Sequence, residues 1–494
     1  MMKRVVVVGS GIGGLTAAAL VAKEGYEVTV LEAMTELAGC AGKYQRHPYV
    51  FAAGATLGMA LEPGGIHNRV FRKLGIETEA DRLDPVMELH HPEVSIPYYA
   101  DREKHVETLC TAFPNHASSI GTFYKEVFQL ATTIRTLMDP LPVMPPKRLE
   151  DLTQVVKSLR PVHMRLVPIL LQPLEALLRK HGLDQAESFR HVLDGILIDS
   201  MQTTSREASA LFSCIALDIY HEGAYYVPGG LYKFGEWLAA SVKQSGGTIK
   251  KPRRVRKLTR NGGGWVVEDH RGKTYETDYV VFNGDPRQLE VLLESHQWEQ
   301  LAKPLQAMPD KTTWGTYSLY IAIDCTKLQK PLRPFQQISH GANGEMDEGW
   351  HFFVSASKPE DVLRAPEGYQ TVTISTHTDL QKWKTKEQYD SYRELMKNRI
   401  LEAVELYYPG FRDAIDVLED GAPRGWENYT LRTEGYVGGF AQTPWHALFG
   451  AASHRSGLPG LYLCGDHIFP GGGTIGVTTS GLHVARSITK KRLI

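Results

Sequence analysis

The sequence predicts an α/β protein whose parallel, helix-covered sheet is assembled from separate chain segments, with a helical stretch and a mixed α+β unit set between them. Three observations predict this. A run "RVVVVG" from Arg4 leads into a glycine-rich turn and an apolar helix. A second apolar run, "YEVTVLE", ends in an acid at Glu32. The same grammar of strand, glycines and helix returns near the C-terminus as "GLYLCGDHIFPGGGTIGV". Short continuous apolar runs of this kind are strands buried on both faces, which requires helices above and below the sheet.

Size and composition bound the rest. The 494 residues exceed what one hydrophobic core usually organises. Apolar residues at 42% and charged residues at 22% are ordinary globular values and exclude disordered, collagen-like and coiled-coil classes. A net charge of −1 gives no field to attract nucleic acid, so no nucleic-acid partner is expected. Cys40, Cys110, Cys214, Cys325 and Cys464 are scattered and form no CxxC pair. That pattern fits neither a disulfide framework nor a zinc site, so no metal and a reducing, cytoplasmic setting are expected. The opening "MMKRVVVVGSG" lacks the apolar length of a signal peptide. No uninterrupted apolar run reaches the roughly 18 residues of a membrane span, which leaves a soluble or peripheral protein.

Between the first strand and the helix "LTAAALVAKEG" lies "GSGIGG", which sets Gly9, Gly11 and Gly14 at GxGxxG spacing, with Ser10, Ile12 and Gly13 between them. The first glycine permits the tight turn, the second lets the backbone approach a pyrophosphate, and the third lets helix and strand pack closely. Phosphate oxygens then meet the positive end of the helix. Glu32, followed by Ala33, stands where an acid meets a ribose hydroxyl. The whole reads as a Rossmann-like nucleotide unit; a structural βαβ unit without ligand is the alternative. The pattern alone leaves NAD and FAD open. Downstream, however, come two small-residue clusters, "ELAGCAGKY" with Gly39, Cys40 and Ala41, and "FAAGATLG" with Ala55 and Thr56, where an NAD domain would continue with further βαβ units.

Residues from about 95 to 220 read as mainly helical, punctuated by "DPLPVMPPKR". In "KSLRPVHMRLVPILLQPLEALLRKHG", Leu166, Leu170, Leu174 and Leu177 repeat at helical spacing beside Lys157, Arg160, Arg165, Arg179 and Lys180, and Pro161, Pro168 and Pro173 interrupt any long helix. Two readings stay open: a basic, apolar face lying on a membrane surface, and a core-facing helix pair with a solvated basic side. Further on, "GWVVED" and "YETDYVVFNGD" read as strands, the second returning to the first sheet. The run "KKPRRVRK" reads first as a solvated strand edge, with a phosphate patch as the alternative. A mixed unit over roughly 300 to 420 includes the alternating "TYSLYIAID" and "YQTVTISTH".

At the back end a short strand stops at Gly465 and Asp466, and a final helix starts from "GGGTIGV". An acid after a strand accepts hydrogen bonds from sugar-like hydroxyls, and glycines at a helix N-terminus suit an electron-rich ring or a phosphate.

With these motifs in place, nearly the whole chain resembles the bacterial-type phytoene desaturase superfamily of FAD enzymes, which also holds carotenoid isomerases and oxygenases. The resemblance rests on "VVVVGSGIGGLTAAALVAKEGYEVTVLE", "GCAGKY", "GATLGMALEPGGIHNRVFRKLGI", "YYVPGGLYKFGEWLAASVKQSGGTI" and "GYVGGFAQTPWHALFGAASHRSGLPGLYLCGDHIFPGGGTIGV". It is most similar to the carotenoid C-3',4' desaturase branch. The resemblance implies a glutathione-reductase or amine-oxidase type of fold. It also implies an FAD whose adenosine half lies on Gly9, Gly11, Gly14 and Glu32, with Val255 touching the adenine and Asn283 nearby. Gly465 and Asp466 would then hold the ribityl and pyrophosphate region, with Gly473, Thr474 and Val477 beside the flavin ring. The expected units are a cofactor domain in three segments, 1–90, 221–298 and 425–494, a helical segment 91–220 and a substrate domain 299–424.

Two positions depart from the family pattern: Ala38 stands where a glycine is usual, and Ala52 where an Asp is usual. The expected reaction is hydride removal from a long polyene or isoprenoid to flavin N5, in an apolar tunnel opening toward a membrane. Redox-neutral isomerisation and oxidation of another apolar substrate, such as an amine, are rivals within flavin chemistry. A non-catalytic prenyl-binding protein on the same fold is the rival from another class. His454, His467, Glu434 and Arg432 are the candidate proton carriers, each read first as structural or cofactor-orienting, so no catalytic residue is assigned.

Overall fold

The computed structural model describes residues 2–308, 314–341 and 344–494. Its central sheet has five strands in the order Thr248–Lys250, Glu27–Leu31, Arg4–Val8, Tyr279–Phe282 and Leu461–Leu463, every neighbouring pair parallel. Val5, Val6 and Val7 are buried, as a strand covered on both faces requires. One face is covered by the helices Ile12–Lys23, Tyr232–Gln244 and Gly473–Thr489. The opposite face packs against a three-stranded meander, Val255–Asn261, Gly264–Asp269 and Thr274–Thr277, anchored by the buried Trp265. The helix Ile12–Lys23 is buried almost all round because small residues let its neighbours approach: a Cβ on Gly481 would lie 2.3 Å from Gly13 O.

A second, mixed sheet has seven strands in the order Ile415–Gly421, Trp314–Asp324, Tyr369–Asp379, His351–Ala356, Phe335–Ser339, Met87–His91 and Val94–Tyr98. All pairs are antiparallel except Phe335–Ser339 with Met87–His91. Period-two alternation splits its faces. Tyr317, Leu319 and Ile321 pack into a core with Met396, Ile400 and Val404 of the helix Lys386–Tyr407. Thr316 and Ser318 stand opposite His377 and Ser375 in register, on the other face. The hairpin Met87–Tyr98 also corrects the sequence reading: the expected boundary at residue 90/91 falls inside a strand of this sheet, and the helical stretch begins only at Arg102.

The helical block Arg102–Glu222 closes one side. Its fully buried carboxylate Asp218 is paired with Arg102, whose Nε lies 2.8 Å away, and with Arg135. Leu166, Leu174 and Leu177 belong to its core, with Leu170 packed partly against it. The stretch is nonetheless not simply a core-facing pair. Leu149, Leu152, Val156, Leu159, Val162, Met164, Val167 and Leu171 are all exposed. Among the described residues no helix is long and apolar enough to cross a membrane.

Candidate functional site

The first loop is a backbone cradle fixed by sterics. Gly9 has φ +92°, and a Cβ there would lie 2.6 Å from Asn283 O. A Cβ on Gly11 would meet Asn283 Nδ2 at 2.5 Å, and one on Gly14 would meet Gly9 O at 2.5 Å. The helix starting at Ile12 has no side-chain cap and no acid in its first turn, so its first N–H groups are left for a partner. Glu32 ties the loop to the second strand: its carboxylate accepts from Ser10 N at 2.7 Å, Ser10 Oγ at 2.6 Å and Met34 N at 2.8 Å. The C-terminal helix Gly473–Thr489 likewise starts without a side-chain cap.

These two helix starts face one cavity of about 800 Å³. Gly9, Ser10, Gly11, Ile12, Gly13, Glu32, Ala33, Gly39, Cys40, Ala41, Ala55, Thr56, Val255, Asn283, Gly465, Asp466, Gly473, Thr474 and Val477 all line it. Gly14 does not; it packs beneath the loop. Arg253, Arg254 and Arg256 of the basic run also reach the cavity wall, beside Val255. Burial pushes the Cys40 thiol up, so it stays protonated.

Ala38, the departure noted above, takes φ 73°, the left-handed conformation that a glycine would adopt there. Its methyl is accommodated by Gly235, whose own Cβ would come within 2.5 Å of it. The backbone path is therefore kept: Ala38 N donates to Ser10 O at 3.0 Å. Ala52 is buried, and its carbonyl accepts from Thr373 Oγ1 at 2.9 Å, joining this segment to the mixed sheet.

Of the four candidate proton carriers, only Arg432 lines the cavity, where its Nη1 donates to Asp466 Oδ2 at 2.6 Å. Burial would raise the Asp466 carboxyl, but Arg432 and His467 outweigh it and hold the group far below the usual carboxylate range. His467 Nδ1 lies 3.0 Å from Asp466 Oδ1, behind the wall and between the rings of Tyr436 and Phe440. His454 is buried elsewhere, its Nε2 2.7 Å from Ser487 Oγ. Glu434 is exposed and does not line this cavity.

The remaining wall was not visible in the sequence. Asp199, Gln202, Thr316, Ser318, Ser375 and His377 converge on the same cavity as Leu57, Met59, Tyr220, Phe353 and Val437. The only signal was alternation: Thr316 and Ser318 sit between the apolar Tyr317, Leu319 and Ile321, and Thr371, Thr373, Ser375 and His377 share one face of the strand Tyr369–Asp379.

The sequence profile of the family described as flavin-containing amine oxidoreductase matches residues 12–489, and the chain belongs to that family. It is 24% identical to a chloroplastic prolycopene isomerase of Daucus carota over 98% of this chain and 79% of that one. It is also 24% identical to a carotenoid 3,4-desaturase of Haloarcula japonica over 98% of this chain and 97% of that one. Among solved structures, an oxidoreductase from Methanosarcina mazei shares the fold at TM-score 0.64 and 16% identity, covering 99% of this chain and 100% of that one. The family implies a flavin cofactor. The cavity fits one on its own chemistry: two uncapped helix starts, glycines where any Cβ would collide, and a buried Thr474 Oγ1 without a protein partner.

Proposed function

We propose that this protein is an FAD-dependent oxidoreductase that desaturates a long apolar polyene of carotenoid type. The observation that carries the reading is the single cavity joining the glycine cradle to an apolar stretch of Leu57, Met59, Tyr220, Phe353 and Val437. Likeness to relatives named for action on carotenoids supports this substrate class. In this reading Gly9, Gly11, Gly13 and Glu32 hold the adenosine half of FAD, with Val255 and Asn283 beside it. Gly465 and Asp466 hold the ribityl region, and Gly473, Thr474 and Val477 border the ring. A bound flavin supplies a two-electron acceptor. The chain's own residues orient the chain-like substrate, exclude water and take up a proton.

Redox-neutral isomerisation is the second reading, favoured by the likeness to prolycopene isomerases. An anaerobic mixture of FAD-loaded protein with acyclic carotenoids in liposomes separates the two. Flavin bleaching with a product lighter by two hydrogens supports desaturation. A geometric isomer of unchanged mass supports the second reading, and bleaching by a long-chain primary amine but not by carotenoid would replace both.

The exposed apolar residues from Leu149 to Leu171 alternate with the exposed Arg148, Lys157, Arg160 and Arg165. This supports a peripheral position on anionic membrane, where apolar insertion and charge attraction add. Replacing Met164 and Val167 by Ser should lower cosedimentation with anionic vesicles several-fold and leave the melting temperature unchanged, since neither side chain is in the core.

A further inference from the structure

The cavity's far wall holds a group that an apolar tunnel does not need. Asp199, near the end of the helix Glu187–Met201, presents its carboxylate to the cavity, and the groups around it come from four other elements. Gln337 Nε2, from the strand Phe335–Ser339, donates to Asp199 Oδ2 at 2.7 Å. His351 Nε2, from the strand His351–Ala356, lies 3.5 Å from the same oxygen and makes no hydrogen bond there, while its Nδ1 contacts Ser339 Oγ at 2.7 Å. His377 Nδ1, from the strand Tyr369–Asp379, lies 4.0 Å from Oδ1, and its Nε2 contacts Gln202 Oε1 at 3.1 Å. Tyr220, on the helix Ala210–Glu222, completes the surroundings. Among the described residues no such group has the arrangement of a metal site.

The charge on Asp199 is held in place. Burial would raise its carboxyl, but His351, His377 and Gln337 together lower it below the ordinary value. Burial lowers His377 to about 4 against the pull of Asp199, so the imidazole is neutral near pH 7. With His377 neutral, Asp199 stands as a carboxylate on a wall of neutral polar side chains, Gln202, Thr316, Ser318 and Ser375, beside the apolar stretch of Leu57, Met59 and Phe353. Gln337 donates to only one of the Asp199 oxygens, so Oδ1, 4.0 Å from His377 Nδ1, keeps acceptor capacity toward the cavity.

We propose that Asp199 is the proton acceptor of the reaction and the counter-charge for the cationic polyene formed as hydride leaves. The inference rests on the polyene reading above. In balanced form, one allylic C–H bond gives up hydrogen with both electrons to the bound flavin as oxidant. The electrons of the adjacent C–H bond become the new C=C, and that proton goes to an oxygen of Asp199. Because a delocalised allylic cation makes the neighbouring C–H strongly acidic, a carboxylate of low pKa is a sufficient base. Gln337 is a positioning residue, fixing one carboxylate oxygen so that the other faces the substrate.

The test is equilibrium binding, read by tryptophan quenching on FAD-loaded protein, of two isosteric polyene chains ending in trimethylammonium or in tert-butyl. Wild type should bind the cationic chain about tenfold tighter or more, and Asp199→Asn should bind the two equally while retaining flavin. Asp199→Ser, which leaves room for water, gives the same reading if the amide variant does not load flavin. Equal binding of both chains by wild type, or a preference that survives in the variants, would overturn the role of Asp199 and leave the polyene reading standing. Binding of neither chain, nor of any acyclic carotenoid, would overturn the polyene reading itself and the inference with it.

Discussion

The two halves of the cavity are built by opposite means. The cradle is backbone: glycines at Gly9, Gly11 and Gly14, two bare helix starts, and one acid, Glu32, that clamps the loop. The far wall is side chain: Asp199, Gln202, Ser318, Ser375 and His377, set on one helix, the residue that caps its C-terminus and two strands that are distant in sequence. The cradle discriminates by allowing close approach, and almost any added atom spoils it. The wall instead presents charge and hydrogen-bonding groups on side chains. The junction between them is the ion pair Arg432–Asp466.

Breaking the cradle should have the largest effect. Gly9→Ala places a methyl against Asn283 O and forces an L-residue into left-handed backbone, a conformational cost of about 1–2 kcal/mol before any clash is counted. Purified Gly9→Ala should carry almost no flavin, measured as flavin absorbance relative to protein absorbance.

The junction comes next. Arg432→Met leaves Asp466 buried without its counter-charge, which should cost about 3–5 kcal/mol in denaturant unfolding. The double variant Arg432→Met with Asp466→Asn should recover most of that loss while still binding flavin poorly. Full stability in the single variant would show that the pair does not join the two halves.

Acid separates the halves at intermediate size. His377 in the wall, together with His90 and His483 elsewhere, is lowered by burial to about 4. Each takes up a proton near its ordinary pKa when unfolded but resists it when folded. Stability should therefore fall as pH drops from about 6.5 toward about 4, by up to about 1.4 kcal/mol per pH unit for each histidine. Asp466 behaves differently: its folded pKa is depressed, so its contribution is present above the ordinary carboxylate pKa and is lost only as pH falls through the folded value, beyond this window. His377→Gln should flatten part of the slope in urea titrations at successive pH values. An unchanged slope would show that the wall histidine is solvated.

The smallest effect is expected at Ala38. Ala38→Gly relieves the left-handed strain but loses the methyl packed against Gly235 and loosens the unfolded chain. Flavin content should be retained and stability should change by less than about 1 kcal/mol.

The same contrast explains what could be read from the sequence. Gly9, Gly11, Glu32, Gly465 and Asp466 were legible because a backbone cradle demands particular residue types at fixed spacing along continuous segments. The strand Tyr279–Phe282 was legible as a return to the first sheet because its apolar run matches the first strand in kind. Asp199 and His377 were not, because no spacing rule links a helix near residue 199 to a strand ending near residue 379, and only folding brings them together. The hairpin Met87–Tyr98 was missed for a related reason: its strand Met87–His91 pairs in parallel with Phe335–Ser339, almost 250 residues away, and nothing local announces that partner. The stretch around Pro161–Ile169 was ambiguous because it is both things at once, with Leu166 in the core and Met164 and Val167 in solvent.

The most direct test of the whole account is a crystal structure of the flavin-loaded protein. The account predicts one FAD lying across the cavity, its adenosine end on Gly9–Gly14 and Glu32, its ring beside Gly473–Val477 and facing Asp199 and His377. A flavin whose ring points away from that wall, or one bound outside the cradle, would contradict it.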